Sequence, residues 1–534
     1  MTKRLVITIF VVCGLVISCK DTPKPIIEQA GASKPPNIIL ILADDMGFSD
    51  LGCYGSSIDT PVLDSLADTG IRFTQFYNTS KCFPSRAALL TGLYAHQVGV
   101  GRSWRHSWKN STTIAKALKA KGYTTMMSGK HHGVDVPTDS IIGFDRYYGL
   151  LSGAANHFNP GNQRIGEIAP ARKKVRPWYI DGKRYEPYTP RDTSFYSTIA
   201  FTNAALKWLE KDFATFKEEG SLSKPDPFFL YLSYTAPHDP LMALPEDIEK
   251  YRGKYRHGYE VERQRRFVKQ KALGIIPEDF KMAAPTYQDW DSLTDQEKDD
   301  EDLKMAIYSA MVDRMDTEIG RVMNLLRTQN RLENTIVLFV SDNGSSAETV
   351  NVQGDGQVGS MGNWTMLGHS WANVNNTPYR LYKNYSYEGG IKTPAIVSWS
   401  KMKENNQIND KLYAHFIDVF PTLLSLAGYD YETPDGVLEA EGISLVETVD
   451  ENQESGITLI DIPQGRPLFF QWKEGAAVRE GDWKLVREGE AWELYNIGTD
   501  PGETKNIIAQ EPEKASALQK QFKAWQERVG VIKK

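Results

Sequence analysis

Four short runs in this chain carry apolar side chains with little polar alternation: NIILIL from Asn37, YTTMM from Tyr123, FFLYLSY from Phe228 and TIVLFV from Thr335. A strand with one solvated face alternates apolar and polar residues. A strand buried on both faces does not, so such runs belong in a parallel sheet covered on both sides. Between them lie TPVLDSLADTG and TTIAKALKAKG, helical patterns that each close on glycine, and the longer amphipathic MAIYSAMVDRMDTEIGRVMNLLRTQ. Strand and helix in alternation predict an α/β fold with a mostly parallel sheet flanked by helices.

The last seventy or so residues change character. PLFFQW, AAVREGDWKLVREG and WELYNI read as short antiparallel strands, and KASALQKQFKAWQERV as a closing helix. A chain of 534 residues exceeds what one compact core usually needs. The expected organisation is a signal at 1–19, a linker at 20–35, a main α/β domain at 36–465, and a smaller C-terminal α+β subdomain at 466–534 with an antiparallel sheet and a helix. Long loop-like regions are expected at 151–195, 240–300 (partly helical) and 345–390. Loops of that size in a compact enzyme are usually functional or disordered.

The N-terminus reads as an address. Lys3 and Arg4 precede an apolar stretch, Leu5 to Ile17, too short to span a bilayer comfortably. Leu15-Val16-Ile17-Ser18-Cys19 resembles a loose lipobox, and the segment after it reads as a polar tether with proline. The expectation is bacterial export to the periplasm or outer membrane, with Cys19 lipidated and membrane contact only through that anchor. The competing reading is an ordinary cleaved signal with an incidental cysteine. On the lipoprotein reading Cys53 and Cys82 are the cysteines of the folded body; one disulfide is conceivable, but Cys82 has a better use. A formal net charge of −6 gives no broad electrostatic reason to bind nucleic acid, and no nucleic-acid motif is present.

In an open parallel sheet, ligands bind beyond the carboxyl ends of the strands. Asp44 and Asp45 follow the first run, Lys130, His131 and His132 the second, His238 the third, and Asp342 and Asn343 the fourth. Each has an ordinary explanation alone: Asp-Asp as a cap, Asp-Asn-Gly as a turn, His238 as a hydrogen-bonded loop residue, Lys130 as a solvated lysine. Their shared position after separate strands favours a site. Asp44, Asp45, Asp342 and Asn343 offer only oxygen, which suits a hard cation, Ca²⁺ or Mg²⁺, over zinc. Histidines and lysine beside it suit hydrolysis of a tetrahedral oxyanion ester, phosphate or sulfate, and charge does not choose between those two.

KCFPSRAALLTG, from Lys81, places Cys82 at a helix start, with Pro84 in the first turn and Gly92 closing the helix. A thiolate nucleophile matches a hard-oxygen metal site poorly. Cys-Phe-Pro-Ser-Arg followed by Leu-Thr-Gly, with matching Asp-Asp and Asp-Asn-Gly segments, resembles the signature of type I, formylglycine-dependent sulfatases. GAANH at 153–157 and AMVDRMDTEIGRV from Ala310 look closest to bacterial arylsulfatases.

The resemblance spans Asn37 to the C-terminal subdomain and implies an alkaline-phosphatase-like fold. It further implies oxidation of Cys82 by a formylglycine-generating maturation enzyme. One Ca²⁺, with Mg²⁺ second choice, would be held by Asp44, Asp45, Asp342 and Asn343 and touched by modified Cys82. Arg86 would hold the aldehyde hydrate. Lys130 and Lys383 would neutralise sulfate oxygens, Lys383 by its spacing before Glu388-Gly389-Gly390. Asp342 would help deprotonate the hydrate, and His238 would bind substrate and protonate the leaving alcohol. His132 would then collapse a covalent sulfate hemiacetal, releasing inorganic sulfate. The implied substrate is an aryl or carbohydrate O-sulfate, more plausibly a sulfated polysaccharide fragment. His131 departs from the family's frequent tryptophan, and Asn156 and His157 either line the substrate side or serve structure. Two rivals stand beside this reading: a phosphate or phosphonate ester hydrolase of the same superfamily, and a non-catalytic lipoprotein that binds sulfated glycans.

Overall fold

The computed structural model describes residues 35–103, 108–133, 142–161, 176–218, 226–349, 354–402, 405–429, 431–448, 457–463 and 465–531. The expected signal, Cys19 and nearly all of the linker lie outside the described residues.

All four apolar runs are strands. The strands, in chain order, are β1 (Asn37–Asp44), β2 (Ile71–Tyr77), β3 (Thr124–Gly129), β4 (Arg146–Leu150), β5 (Trp178–Ile180), β6 (Lys183–Tyr185), β7 (Phe228–Pro237), β8 (Thr335–Ser341), β9 (Lys392–Ser398), β10 (Gln407–Asn409) and β11 (Ala414–His415). They build one sheet in the order β10-β2-β9-β8-β1-β7-β3-β4-β5-β6, with β11 also on β2. The centre, β8-β1-β7-β3, is parallel throughout. β9 enters antiparallel between β2 and β8, and β5 and β6 close the far edge antiparallel, so the sheet is mixed at its flanks.

The central run is apolar throughout because its two faces feed two cores. Ile38, Leu40 and Leu42 pack with Ala87 and Leu90 of the helix Cys82–Thr91 and with Leu423 of the helix Val419–Leu426. Ile39, Ile41 and Ala43 pack on the other face with Met311, Met315 and Ile319 of the helix Asp295–Thr328 and with Phe201 of the helix Ser197–Glu218. Each fully buried Leu, Ile or Phe contributes roughly 1.5–3 kcal/mol relative to exposure.

Past β12 (Val446–Thr448) and β13 (Ile457–Leu459), a second sheet runs β14 (Pro467–Trp472), β15 (Gly475–Glu480), β16 (Trp483–Arg487) and β17 (Trp492–Asn496), antiparallel in sequence order. The helix Pro512–Arg528 covers it through Leu518, Phe522 and Trp525, with Trp525 stacked on Phe469 at 5.1 Å. The region 240–300, expected to be partly helical, carries the helices Pro245–Glu249 and Tyr259–Ala272. Tyr259–Ala272 is highly charged, and its buried side includes Glu262, Arg263, Arg266 and Gln270, so it carries little apolar period.

Candidate active site

Parallel pairing brings the ends of β8, β1, β7 and β3 to one edge of the sheet. Ala43 stands beside Ser341, Asp44 beside Pro237, and Gly129 beside Ser233. The residues after those positions, Asp45, Asp342, Asn343, His238 and Lys130, converge there by register. Gly129 (φ 125°) is required: a Cβ would stand 1.7 Å from the Ser233 carbonyl oxygen, closing the approach of β3 to β7.

Cys82 opens the ten-residue helix Cys82–Thr91, and Gly92 closes it in the left-handed region. Ser85 ties the segment down: its hydroxyl accepts from the Thr79 N–H (2.9 Å) and donates to the Thr79 carbonyl. One turn after Cys82, buried Arg86 donates through Nε to Asp342 Oδ2 (2.8 Å) and through Nη1 to the Lys130 carbonyl and Ser233 Oγ (both 2.7 Å). Its Nη2 pairs with the same Asp342 oxygen at 2.7 Å and lies 3.5 Å from Asp44 Oδ1.

The carboxylates and cations are all buried. Lys130 Nζ is 2.5 Å from Asp44 Oδ2, and Lys383 Nζ is 2.7 Å from Asp45 Oδ2. Asn343 Nδ2 donates to Asp45 Oδ1 at 2.6 Å. Burial acts to raise the Asp45 carboxyl, but His238, Lys383 and Lys130 hold it well below the usual carboxylate range. Asp342 is pushed up to about 6 by burial and by the charge of Asp44, against the pull of Arg86. Burial raises the Cys82 thiol, with Lys130 and Lys383 opposing, so the unmodified side chain is a poor source of thiolate.

His238 Nδ1 lies 2.6 Å from the Asp239 carbonyl and Nε2 lies 3.3 Å from Asp45 Oδ2, so both ring nitrogens face acceptors. Burial lowers it to about 3, with Asp45 pulling the other way. Burial and the cations Lys130 and Arg86 also hold His132 well below its usual value. Asp45 (φ 64°) and His132 (φ 53°) sit in the left-handed region, and so do Leu381 (φ 60°) and Asn384 (φ 77°), which bracket Lys383. Non-glycine residues in that region carry strain that clusters at functional sites.

Among the described residues, two sets of groups have ligand atoms within 4.8 Å of one another: Asp44, Cys82 and Asp342, and Asp44, Asp45 and His238. Asp44 Oδ1 and Asn343 Oδ1 are buried and accept no hydrogen bond among the described residues. Buried acceptors left unmatched are costly unless a ligand meets them, so the residues present fit a hard cation.

Sequence reasoning missed Glu348, Lys81 and Ser233. Glu348 lies 2.5 Å from Lys81 Nζ and 3.7 Å from Lys383 Nζ, and those two lysines, Lys383 foremost, hold its carboxyl far below the usual range. It sits in a loop with no periodic pattern and no motif, so nothing local marks it. His157 and Asn156 make structural bonds. His157 Nε2 lies 3.0 Å from the His238 carbonyl and Nδ1 2.8 Å from Ser197 Oγ, while Asn156 donates to the Met361 carbonyl at 2.8 Å. Cys53 and Cys82 are both buried free thiols.

The family model described as Sulfatase matches residues 36–429, and one described as N-sulphoglucosamine sulphohydrolase, C-terminal, matches 379–529. An uncharacterized sulfatase of Schizosaccharomyces pombe is 32% identical, covering 95% of this chain and 96% of that protein. An arylsulfatase of Klebsiella aerogenes is 34% identical, over 75% of this chain and 89% of its own length. Among solved structures, Ps i-CgsB in complex with k-i-k-neocarrahexaose aligns with a TM-score of 0.63 at 25% identity, covering 92% of this chain and 93% of the other.

Proposed function

The chain belongs to the sulfatase family and is a sulfuric ester hydrolase; from that premise we propose that it removes O-sulfate from a carbohydrate through a formylglycine made from Cys82. One observation carries the proposal. A buried cysteine whose thiol is held neutral opens a helix at the sheet edge where Asp44, Asp342, Lys130 and Lys383 gather.

An aldehyde hydrate at residue 82 would carry two hydroxyls, one to attack sulfur and one to eject sulfate. Arg86 and Asp342 form a rigid pair beside it, and Asp342, raised to about 6, is suited to take a proton from the attacking hydroxyl. Lys130 and Lys383 supply the positive charge that an incoming sulfate meets. His238 is the candidate acid for the leaving alcohol. Its ring already faces two acceptors, and an anionic ester arriving beside it favours the imidazolium that burial disfavours. His132, held neutral by burial and nearby cations, is the candidate base that takes the second hydroxyl's proton. Asp44, Asp45, Asp342 and Asn343 would hold Ca²⁺, with residue 82 beside it; the ion, when bound, would offset charge at the sulfate oxygens.

The neocarrahexaose complex of the 25%-identical neighbour supports a sulfated carbohydrate as substrate. We further propose export as a lipoprotein through Cys19, on the Ser18-Cys19 boundary alone. The test is mass spectrometry of the Cys82 peptide from active enzyme, paired with turnover of matched sulfate and phosphate esters. An aldehyde at residue 82 and a strong sulfate preference are expected; an intact thiol in fully active enzyme would overturn the nucleophile.

A further inference from the structure

A cavity of about 370 Å³ opens beside Lys383, walled by Glu348, Tyr385, Trp472, Lys473 and Glu488. A sulfate group needs only a small part of it, and the volume lies in the range of about 300–1,000 Å³ usual for small-molecule sites. One wall comes from the main domain and the other from the C-terminal sheet, through the hairpin that joins β14 to β15 and through Glu488 just after β16.

Two features of that hairpin ask for a ligand. Trp472 is 7% exposed, and its indole N–H is buried with no acceptor among the described residues. Its ring meets Phe83 edge-on at 5.2 Å, and Phe83 meets His132 at 5.6 Å, so an aromatic chain runs from the catalytic groups to the cavity. Lys473, next in sequence, is exposed and occupies the two-residue turn at φ 53°. Tight hairpin turns select Gly, Asn or Asp at positive φ, and a lysine held there points to a use for its side chain.

The charges nearby are unequal in their partners. Lys81 and Lys383 both face Glu348. Lys473 forms no ion pair within 4 Å among the described residues; its ammonium lies 5.6 Å from the centre of the Trp472 ring. Burial and Glu474 raise the Glu488 carboxyl while Arg487 and Lys473 oppose them, so Glu488 feels the Lys473 charge without closing an ion pair with it. The hairpin side therefore offers one cation with no ion pair among the described residues and one indole donor, over an aromatic surface.

We propose that this cavity is a subsite for the carbohydrate unit attached to the one that loses sulfate, with Trp472 carrying the ring and Lys473 recognising an anionic substituent on it, a carboxylate or a second sulfate. The proposal rests on the sulfatase reading and extends it from the reacting group to its neighbour in the chain. Rings packed on indole gain apolar contact, and a charged partner for Lys473 adds a charge-assisted bond.

The test compares kcat/KM across 4-nitrophenyl sulfate and defined disaccharides from chondroitin sulfate, ι-carrageenan and κ-carrageenan. These present, beside the sulfated unit, a hexuronate, a second sulfate and a neutral sugar respectively. An anionic neighbour is expected to gain at least tenfold over the neutral one, and whichever arm gains identifies the anion. Lys473→Asn keeps a residue suited to the turn while removing the charge. It should leave the unfolding midpoint unchanged or higher and erase the preference, while Lys473→Arg should retain it. Trp472→Ala should lower kcat/KM for every disaccharide relative to 4-nitrophenyl sulfate. No preference in the natural enzyme, or one that survives in Lys473→Asn, overturns the subsite. Failure to turn over any of the sulfate esters would instead sink the sulfatase reading beneath it.

Discussion

Lys383 and Glu388 stand five positions apart, yet they serve two buried ionic clusters of opposite character. Around Glu388 both carboxylate oxygens are taken. Lys484 of β16 reaches Oε1 at 2.7 Å, and Lys392 (2.8 Å) and the Tyr77 hydroxyl (2.7 Å) reach Oε2. The Glu388 N–H donates to Glu503 (2.8 Å), which shares Lys484, while Arg479 donates to the Tyr77 hydroxyl. This cluster ties the C-terminal sheet to β2 and β9. The Asp44–Asp45–Asp342 cluster is just as buried, but among the described residues Asn343 Oδ1 and Asp44 Oδ1 accept no hydrogen bond, and the Arg86 Nη2 facing Asp44 Oδ1 stands off at 3.5 Å. Glu503 Oε1 also accepts none but has Lys484 at 2.7 Å. Asp45 and His132 are further held in strained backbone. Saturated buried charge fixes architecture, whereas buried charge with acceptors to spare awaits a ligand.

The largest effect expected is chemical and confined to the unsaturated cluster. Cys82→Ala should lower kcat on 4-nitrophenyl sulfate by on the order of 10⁴-fold or more, as removal of a nucleophile does, with no fall in the unfolding midpoint. Cys82→Ser should release at most one leaving group per enzyme and then stall.

The next effect belongs to the saturated cluster. Lys484→Met removes the cation that Glu388 and Glu503 share, leaving Glu388 with Lys392 and Tyr77, and should cost about 3–5 kcal/mol in urea unfolding. Asp44→Asn, which keeps an amide oxygen for Lys130 to meet, should cost less stability than that while abolishing turnover. Equal losses in the two variants would break the comparison.

Chelation by EGTA should abolish activity, and Ca²⁺ should restore it. Saturating Ca²⁺ at about 100 times its Kd should stabilise the fold by about 2.7 kcal/mol, read as a rise in unfolding midpoint that Asp44→Asn lacks. A midpoint unmoved by Ca²⁺ would remove the metal from the site.

The smallest effect is in pH. Burial raises the Glu388 carboxyl, but Lys392, Lys484 and Arg479 outweigh it and hold it well below its ordinary 4.5. The folded state therefore binds fewer protons than the unfolded one. Its contribution is fully present above pH 4.5 and is lost as pH falls below that value. Glu503 works the other way: burial, with help from Glu388 against Lys484, raises it to about 7, so its proton is retained on folding and stability declines as pH rises from 4.5 to 7. Stability curves of Glu388→Gln against the natural protein should differ in slope below pH 4.5; parallel curves would deny Glu388 its place in the cluster.

Much of the centre was legible from residue order. Uninterrupted apolar strands require two covered faces, and strands parallel to one another put Asp44, Lys130, His238 and Asp342 at one edge whatever the loops do. The flanks were less so. β2 (IRFTQFY) and β9 (KTPAIVS) are interrupted by polar residues, and their antiparallel pairing depends on partners more than 300 residues away in sequence. The helix Tyr259–Ala272 buries arginines and glutamate against Asp50 and Ser49, so its period is hidden by its own polarity.

By itself, then, the amino-acid order determined the sheet's core, the pole where chemistry gathers, and Cys82 at a helix start, because these follow from local hydrophobic period and from strand direction. Only the tertiary structure decided that Glu348 would stand between Lys81 and Lys383, that Lys484 would cross from the second sheet to Glu388, and that Trp472 and Lys473 would wall a cavity beside the site. Those are meetings of single polar side chains across long sequence separations, and no local pattern encodes which distant partner a buried charge will find.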